Sequence, residues 1–181
     1  MVRYADDAVL YFDRKEDAER VMEVLHKRLG KYGLALHPEK TRLIDFTRSK
    51  TKDRNKSTFS FLGFTFYWGK SRNGKPVIKL KTVSKRKNAK KTALPKWIKE
   101  NRHLPRTEQH RILSAKLRGL YYYYGVSDNI NMLLALRHHV EITWRKWLNR
   151  TGRKKPMNWK KFGFYLKAHP LPKPKVYHRL Y

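Results

Sequence analysis

The charge of this 181-residue chain is divided so unevenly that it limits what the chain can fold into. Residues 1–46 contain nine Lys or Arg and nine Asp or Glu, so their formal charges cancel. Residues 47–181 contain 35 basic and five acidic residues and therefore carry the whole net charge of +30. A compact domain with such an excess repels itself unless a polyanion neutralises it, and nucleic acid is the usual polyanion. The sequence therefore predicts a near-neutral globular piece followed by a phosphate-binding region.

Other classes of partner and site are less compatible with the composition. The chain contains no cysteine, which excludes disulfides and thiolate zinc sites. No run of about 18 apolar residues and no signal-peptide pattern occurs, so a membrane is not an expected partner and a cytoplasmic location is expected. His138 and His139 would point about 100° apart on a helix, and we expect them to face solvent or phosphate rather than a metal.

The first half of the chain has an α+β pattern. Its predicted elements are, in order, a β-hairpin over 2–12, a helix over 15–32, a strand over 34–46, a loop over 47–57, and a second hairpin whose two strands are 58–68 and 77–83. The acidic pair Asp6-Asp7 falls at the tip of the first hairpin.

Beyond residue 84 the apolar residues recur at helical spacing. Helices are predicted over 84–100, 106–124, 128–149 and 158–166, and a Pro/Lys-rich extended tail follows. The third helix has the clearest apolar stripe, formed by Ile130, Leu133, Leu134, Val140, Trp144, Trp147 and Leu148. Helices that pack through such stripes present basic residues outward, so we expect this region to contact the phosphate backbone of a nucleic acid.

Thirteen basic residues on these helices are the predicted phosphate contacts: Lys85, Arg86, Lys87, Lys90, Lys91, Lys96, Arg111, Lys116, Arg118, Arg137, Arg145, Lys146 and Arg150. Taken singly, each could equally belong to an ordinary solvated helix surface. If about eight contact phosphates, the log–log slope of affinity against salt is about −6 for single strands. Tyr121–Tyr124 point in four directions on a helix, so we expect core packing for most and leave base stacking open for the rest.

Neighbouring carboxylates at a hairpin tip repel each other unless a cation offsets them. Mg²⁺ prefers such hard oxygen ligands and leaves room for water and substrate phosphates. A tight turn lets Asp6 and Asp7 approach one site, and the small Ala5 does not obstruct it. A surface turn that happens to contain two aspartates is the alternative interpretation.

Four sequence motifs occur in a definite order along the chain. Tyr4-Ala5-Asp6-Asp7 resembles the Tyr-x-Asp-Asp box of reverse transcriptases, and residues 33–41 resemble the next palm motif. Phe61-Leu62-Gly63-Phe64 resembles the box that closes the palm. Residues 117–125, with Gly119 before the tyrosine run, are similar to the Gly-x-x-x-Tyr-Tyr signature of the maturase-specific domain. Together and in this order, the motifs resemble those of group II intron-encoded reverse transcriptase/maturase proteins. The resemblance implies the end of a reverse transcriptase palm over 1–83, an α-helical maturase-specific thumb domain over 84–168, and a tail over 169–181.

The resemblance also implies site residues and partners. Asp6 and Asp7 would be the catalytic, Mg²⁺-binding doublet, Lys40 would assist pyrophosphate departure, and Gly63 would contact the primer. The implied partners are group II intron RNA and an RNA–DNA primer-template. A positive group beside a departing phosphate stabilises its charge, which gives Lys40 a chemical case of its own; a solvated lysine beside Glu39 is the alternative.

Relative to the family pattern, the chain lacks the fingers and the first palm aspartate, which precede the Tyr-x-Asp-Asp box. We therefore expect an RNA-binding fragment that does not polymerise alone, whether it arose as a truncated gene, an internal start or one half of a split protein. The zinc-containing endonuclease extension is also missing. Two alternatives remain: a half of a split reverse transcriptase that is active only with an upstream fingers–palm chain, and a basic RNA-binding module unrelated to catalysis.

Overall fold

The computed structural model describes residues 1–48, 57–150 and 156–180. The fold class is α+β, as predicted: small antiparallel sheets and five helices in the described ranges. The elements are β1 Val2–Tyr4, β2 Asp7–Val9, α1 Lys15–Gly30, β3 Thr58–Phe61, β4 Phe64–Lys70, β5 Pro76–Thr82, α2 Ser84–Glu100, α3 Arg106–Tyr124, α4 Ile130–Leu148 and α5 Trp159–Ala168. The chain divides into two compact units, Met1–Ile78 and Lys79–Tyr181, which we call the first unit and the helical unit. No helix in the described ranges is long and apolar enough to span a membrane.

The first unit begins with the predicted hairpin. β1 and β2 pair antiparallel, with Tyr4 opposite Asp7, so Ala5 and Asp6 form the two-residue turn. Ala5 adopts a φ of 48°, a left-handed conformation that tight hairpin turns require. The helix that follows, α1, has acidic residues in its first turn and basic residues in its last, which complements the helix dipole.

The predicted strand over 34–46 is wrong. Residues 38–40 form a turn, and the rest of 34–46 belongs to neither a helix nor a strand. A strand needs a hydrogen-bonded neighbour, and in the described part of the chain β1 and β2 pair only with each other. The segment is fixed instead at its end. Trp68 donates a hydrogen bond from Nε1 to the carbonyl oxygen of Phe46 at 2.9 Å, and the Phe46 ring packs edge-on against Phe59 at 4.9 Å.

The second predicted hairpin lies where it was expected, but its division into strands was predicted wrongly. The run 58–68 is not one strand: it folds back on itself as β3 and β4, with Phe61 opposite Phe64. Leu62 and Gly63 form the turn with φ of 49° and 79°. β5 is the third strand of this sheet, in the order β3-β4-β5. The predicted loop over 47–57 lies largely outside the described residues.

The helical unit has a continuous apolar core. α3 contributes Leu113, Leu117 and Tyr121 at four-residue spacing, and α4 contributes Leu133, Leu136, Val140, Trp144 and Leu148 at three- and four-residue spacing. The predicted bounds of all four helices agree with the structure to within two residues. Burying a Leu- or Phe-sized side chain stabilises a fold by about 1.5–3 kcal/mol, so this core dominates the stability of the unit.

Two buried amides fix the ends of helices in this unit. Gln109 accepts a hydrogen bond from Trp144 Nε1 at 2.8 Å and donates to the carbonyl oxygens of Leu104 and Arg102. Asn129, the N-cap residue of α4, accepts from the backbone N–H of Thr82 and donates to Thr82 Oγ1 and to the carbonyl oxygen of Tyr124. Both amides are satisfied, which removes the cost of burying them.

The segment 169–180, for which an extended tail was predicted, contains neither a helix nor a strand of several residues, and it packs against the helical unit. Leu171 is buried, and the backbone N–H groups of Tyr177 and His178 donate to the carbonyl oxygen of Gly125 at 2.7 and 3.1 Å. A Cβ at Gly125 would overlap the carbonyl oxygens of Tyr121 and Lys175, so this contact requires glycine.

Candidate nucleic-acid interface

The acidic pair lies at the tip of an exposed hairpin. Asp6 belongs to the turn, Asp7 is the first residue of β2, and both side chains are exposed. Within the described residues neither carboxylate takes part in a hydrogen bond or an ion pair. No group of three His, Asp or Glu side chains that could hold a metal ion occurs in residues 1–48, 57–150 and 156–180. Two adjacent carboxylates are only part of a Mg²⁺ site.

The other two residues predicted for the palm lie in turns. Lys40 is exposed and ends the turn 38–40, where its N–H donates to the carbonyl oxygen of His37 at 3.2 Å. It forms no ion pair with Asp6 or Asp7. Gly63 lies in the β3–β4 turn with positive φ, a conformation in which the absence of Cβ leaves the backbone open to approach.

Most of the thirteen predicted phosphate contacts are accessible. The exposed members are Lys85, Arg86, Lys91, Lys96, Arg111, Lys116, Arg118, Lys146 and Arg150. Two of them have acidic neighbours on their own helices, since Lys96 pairs with Glu100 and Arg111 with Glu108, but at 3.9 and 3.6 Å these are loose surface pairs. Lys87 and Lys90 are half-buried on α2.

Two of the thirteen are occupied by contacts within the protein. Arg137 is largely buried and pairs with Glu141 at 2.8 Å. Arg145 donates a hydrogen bond to the carbonyl oxygen of Met157 at 3.2 Å, and its guanidinium lies 3.9 Å from the centroid of the Trp159 ring. Both side chains hold the helical unit together, and they are the least suited of the set to bind a phosphate.

The structure gathers a different set of cations around one aromatic ring. Lys99 Nζ, Arg102 Cζ and Arg150 Cζ lie 5.8, 5.7 and 5.2 Å from the centroid of the Trp147 ring. We call these three basic residues and Trp147 the cation cluster. Arg150 was among the predicted contacts, whereas Lys99 and Arg102 were not. Each alone looks like a solvated helix-end residue, and only the packing of α2 against α4 brings them to one ring.

No acidic residue in the described part of the chain forms an ion pair with the cation cluster. The helical unit contains four acidic residues, all in the described ranges, and each pairs with a cation elsewhere: Glu100 with Lys96, Glu108 with Arg111, Asp128 with Lys79 and Glu141 with Arg137. Lys99 lies in the last turn of α2, and Arg102 and Arg150 lie just beyond the ends of α2 and α4. The negative ends of the two helix dipoles therefore offset part of the mutual repulsion. The remaining positive potential lies beside the half-exposed ring of Trp147.

The four consecutive tyrosines separate into two buried and two exposed side chains, so fewer of them pack in the core than the majority that was expected. Tyr121 and Tyr124 are buried at 1% and 6% exposure, whereas Tyr122 and Tyr123 are 64% and 50% exposed. Burial raises the pKa of Tyr121 and Tyr124 above the ordinary tyrosine value, because the phenolate would have to leave water. The phenol of Tyr121 has no hydrogen-bond partner within the described residues.

Among the comparisons with known proteins, the match that was found lies in the first unit of the chain. No curated protein and no solved structure matches the chain. One family model, described as reverse transcriptase (RNA-dependent DNA polymerase), matches residues 1–66. That range includes the Asp6-Asp7 hairpin, α1 and the turn at Gly63. The first part of this chain is therefore similar to the reverse transcriptase family.

Proposed function

We propose that this chain is an RNA-binding piece of a group II intron-type reverse transcriptase/maturase, which grips structured intron RNA and RNA–DNA primer-template through its helical unit. The cation cluster around Trp147 carries the proposal. The order of the four sequence motifs and the reverse transcriptase match over residues 1–66 support it.

A phosphate is the chemical group that best fits the cation cluster. Three cations near one ring repel one another, and solvent screens them only partly beside an aromatic surface. A phosphodiester placed among them would exchange repulsion for charge-assisted hydrogen bonds, and the two guanidiniums can each bind two phosphate oxygens. The exposed cations Lys85, Arg86, Lys91, Arg111, Arg118 and Lys146 would then extend the contact along the RNA backbone.

Polymerisation by this chain alone is not part of the proposal. Asp6 and Asp7 supply two carboxylates, and the described residues contribute no third metal ligand near them. Lys40 and Gly63 keep their proposed roles in pyrophosphate departure and primer contact only within a completed active site. Mg²⁺ would bind productively there once another chain or segment supplies the missing carboxylate.

The exposed apolar surface of the first unit favours a second candidate function. Val2, Tyr4, Leu10, Tyr11 and Val24 are all more than one-third exposed, on or beside the hairpin and α1. Such a surface is typical of an element that packs against a partner. A fingers–palm chain that covers it would make this protein one half of a split reverse transcriptase.

The RNA-binding proposal is tested with a triple variant of the full chain, Lys99→Gln/Arg102→Gln/Arg150→Gln. Affinity for group II intron RNA is measured by fluorescence anisotropy over a range of salt concentrations. Each phosphate contact contributes about −0.7 to the slope of log affinity against log salt concentration. Loss of three contacts should therefore make the slope less steep by about 2 and lower the affinity on the order of 100-fold at 0.1 M salt.

A matched control removes the same charge from another helix end. Lys27→Gln/Arg28→Gln/Lys31→Gln alters three exposed basic residues at the end of α1 and should change the salt slope by less than one contact's worth. Equal losses in both triple variants would mean that only net charge matters, and the cation cluster would carry no function. Binding of bulk transfer RNA as tightly as intron RNA would remove the maturase part of the proposal.

Catalysis is tested separately by primer extension with Mg²⁺. The chain alone should give no DNA synthesis, and robust synthesis would contradict that part of the proposal. Mixing it with a fingers–palm polypeptide tests the second candidate: a gain that is lost in Asp6→Asn/Asp7→Asn supports a split enzyme, and no gain over either chain alone rejects it.

A further inference from the structure

An exposed group of aromatic rings lies where the C-terminal segment meets the end of α3. The Tyr122 ring contacts Tyr177 edge-on at 5.4 Å and His178 edge-on at 5.7 Å, and the Tyr177 and His178 rings lie 6.5 Å apart. All three side chains are exposed, Tyr122 by 64%. We call Tyr122, Tyr177 and His178 the aromatic platform. The two contributing segments are more than fifty residues apart in sequence, so only folding creates it.

The aromatic platform is held rigidly from beneath. Gly125 accepts hydrogen bonds from the N–H groups of both Tyr177 and His178, and Val126 pairs with His178 as an isolated parallel bridge. The imidazole Nε2 of His178 donates to the carbonyl oxygen of Tyr122 at 3.0 Å, which ties the third ring to the helix. Rings that are fixed before binding lose little conformational entropy when a ligand arrives.

Basic residues flank the aromatic platform. Lys175 Nζ lies 4.7 Å from the centroid of the Tyr177 ring. Arg118 is exposed and lies one helical turn before Tyr122 on the same side of α3. The four acidic residues of the helical unit are paired elsewhere, with Lys79, Lys96, Arg111 and Arg137. The surface therefore combines exposed aromatic rings with positive charge that no acidic residue of the described ranges pairs with.

Packing of the C-terminal segment alone does not require this arrangement. Leu171 and the two hydrogen bonds at Gly125 already anchor the segment, and Tyr121 and Tyr124 already fill the core at the end of α3. An exposed tyrosine gains little from burial at this site, whereas an aromatic ring beside cations suits a nucleobase with its attached phosphates.

We propose that the aromatic platform stacks an unpaired base of the bound RNA, with the adjoining phosphates held by Arg118 and Lys175. This inference rests on the proposed RNA-binding function and adds the class of RNA that the site takes. In A-form duplexes the base faces are hidden in the stack, so a stacking surface selects single-stranded loops, bulges or ends. Stacking tolerates any base, so no sequence preference is expected from this site.

The experiment uses the full chain and two RNA probes of equal length: single-stranded oligouridylate carrying one central 2-aminopurine, and a blunt duplex. Tyr122→Ala should lower affinity for the single strand about 5- to 100-fold, the range given by 1–3 kcal/mol per stacked base. Affinity for the duplex should stay within about twofold, because the cations that bind its backbone are unchanged. Wild-type protein should quench 2-aminopurine fluorescence, and Tyr122→Ala should not.

Two control variants separate stacking from general damage. Tyr122→Phe keeps the ring and should retain single-strand affinity. Tyr123→Ala removes a neighbouring exposed tyrosine outside the aromatic platform and should have little effect. Circular dichroism and thermal melting verify that each variant is folded, and Tyr122→Leu provides a second ring-free variant if Tyr122→Ala melts early.

The outcomes distinguish the inference from the function on which it depends. Equal losses in Tyr122→Ala and Tyr123→Ala, equal losses on both probes, or wild-type binding to duplex alone would overturn the aromatic platform and leave RNA binding intact. Failure of wild-type protein to bind either RNA would overturn the proposed function itself.

Discussion

Tyr11 and Trp144 are both large aromatic residues, yet the first is 79% exposed and the second is fully buried. The contrast holds for the two units as wholes. In the described residues, fifteen of the sixteen buried apolar side chains belong to the helical unit, and Ala18 alone belongs to the first unit. The helical unit thus contains the core that it needs for folding. The first unit, which is similar to reverse transcriptases over residues 1–66, leaves several large apolar side chains exposed, so burial contributes less to its stability.

The largest effect is expected from a substitution in the core of the helical unit, which tests how much that core contributes to the free energy of unfolding. Trp144→Ala removes a fully buried indole and leaves Gln109 Oε1 without its donor, so it should lower the free energy of unfolding by about 3–5 kcal/mol. Urea denaturation measures this loss. Tyr11→Ala in the first unit should change the same quantity by less than about 0.5 kcal/mol. Similar losses in the two variants would mean that the two units do not differ in how much their aromatic side chains stabilise the fold.

A smaller effect is expected where the C-terminal segment meets α3. Gly125→Ala places a methyl group against the carbonyl oxygens of Tyr121 and Lys175 and should cost about 1–3 kcal/mol while releasing residues 170–180 to proteolysis. Gly119→Ala is the matched control. It lies on the exposed face of α3 with nothing within 4 Å of the added methyl, and it should stabilise the helix by about 0.5–1 kcal/mol. Destabilisation by both would point to helix disruption rather than to the docking of the segment.

A gain of stability is expected from removing the phenol hydroxyl of Tyr121. Tyr121→Phe removes a buried hydroxyl that has no hydrogen-bond partner among the described residues, so the free energy of unfolding at pH 7 should rise by about 1 kcal/mol. Burial raises the folded-state pKa of Tyr121, and so the unfolded chain loses this proton first as pH rises. Wild-type stability should therefore be intact below about pH 10 and fall above it, and Tyr121→Phe should lessen that fall. Denaturation at pH 7 and pH 11 measures both effects, with exposed Tyr122→Phe as the unaffected control; a destabilised Tyr121→Phe would contradict the prediction.

The smallest effect concerns the acidic hairpin. Asp6→Asn/Asp7→Asn changes two exposed side chains without partners in the described residues, so stability should stay within about 0.5 kcal/mol. RNA affinity in 5 mM Mg²⁺ should also be unchanged or slightly raised, since two negative charges are lost. A clear drop in affinity would show that this hairpin, and not only the helical unit, contacts RNA through a bound cation.

Local patterns predicted the helices well and the strands less well. The bounds of α2 and α3 follow from apolar spacing along a single segment, which is a local property. The strand expected over 34–46 failed because pairing depends on a distant partner that the described residues do not provide. The turn inside 58–68 was missed because Leu62, rarely a turn residue, occupies a left-handed conformation beside Gly63.

The candidate site could be predicted only one residue at a time. In the sequence, Arg150 was one of thirteen predicted phosphate contacts, and Tyr122 was one of four consecutive tyrosines. Nothing in the sequence indicated that Lys99 and Arg102 would meet Arg150 at one indole ring, or that Tyr177 would return to Tyr122. Both arrangements arise from tertiary packing between segments that are far apart in the chain.

The three positive groups around Trp147 also bear on how the protein tolerates its own charge. Helix ends open more easily than the middle of a helix. In this protein the ends of α2 and α4 also bring three positive charges close together, which adds repulsion at those ends. A polyanion bound at the cation cluster reduces the repulsion among its charges. Because it binds the folded state, its affinity and the stability of the protein against unfolding are thermodynamically linked. Under the proposed function, bound nucleic acid supplies negative charge that offsets the positive charge of the folded protein, and the protein is most resistant to unfolding when nucleic acid is bound.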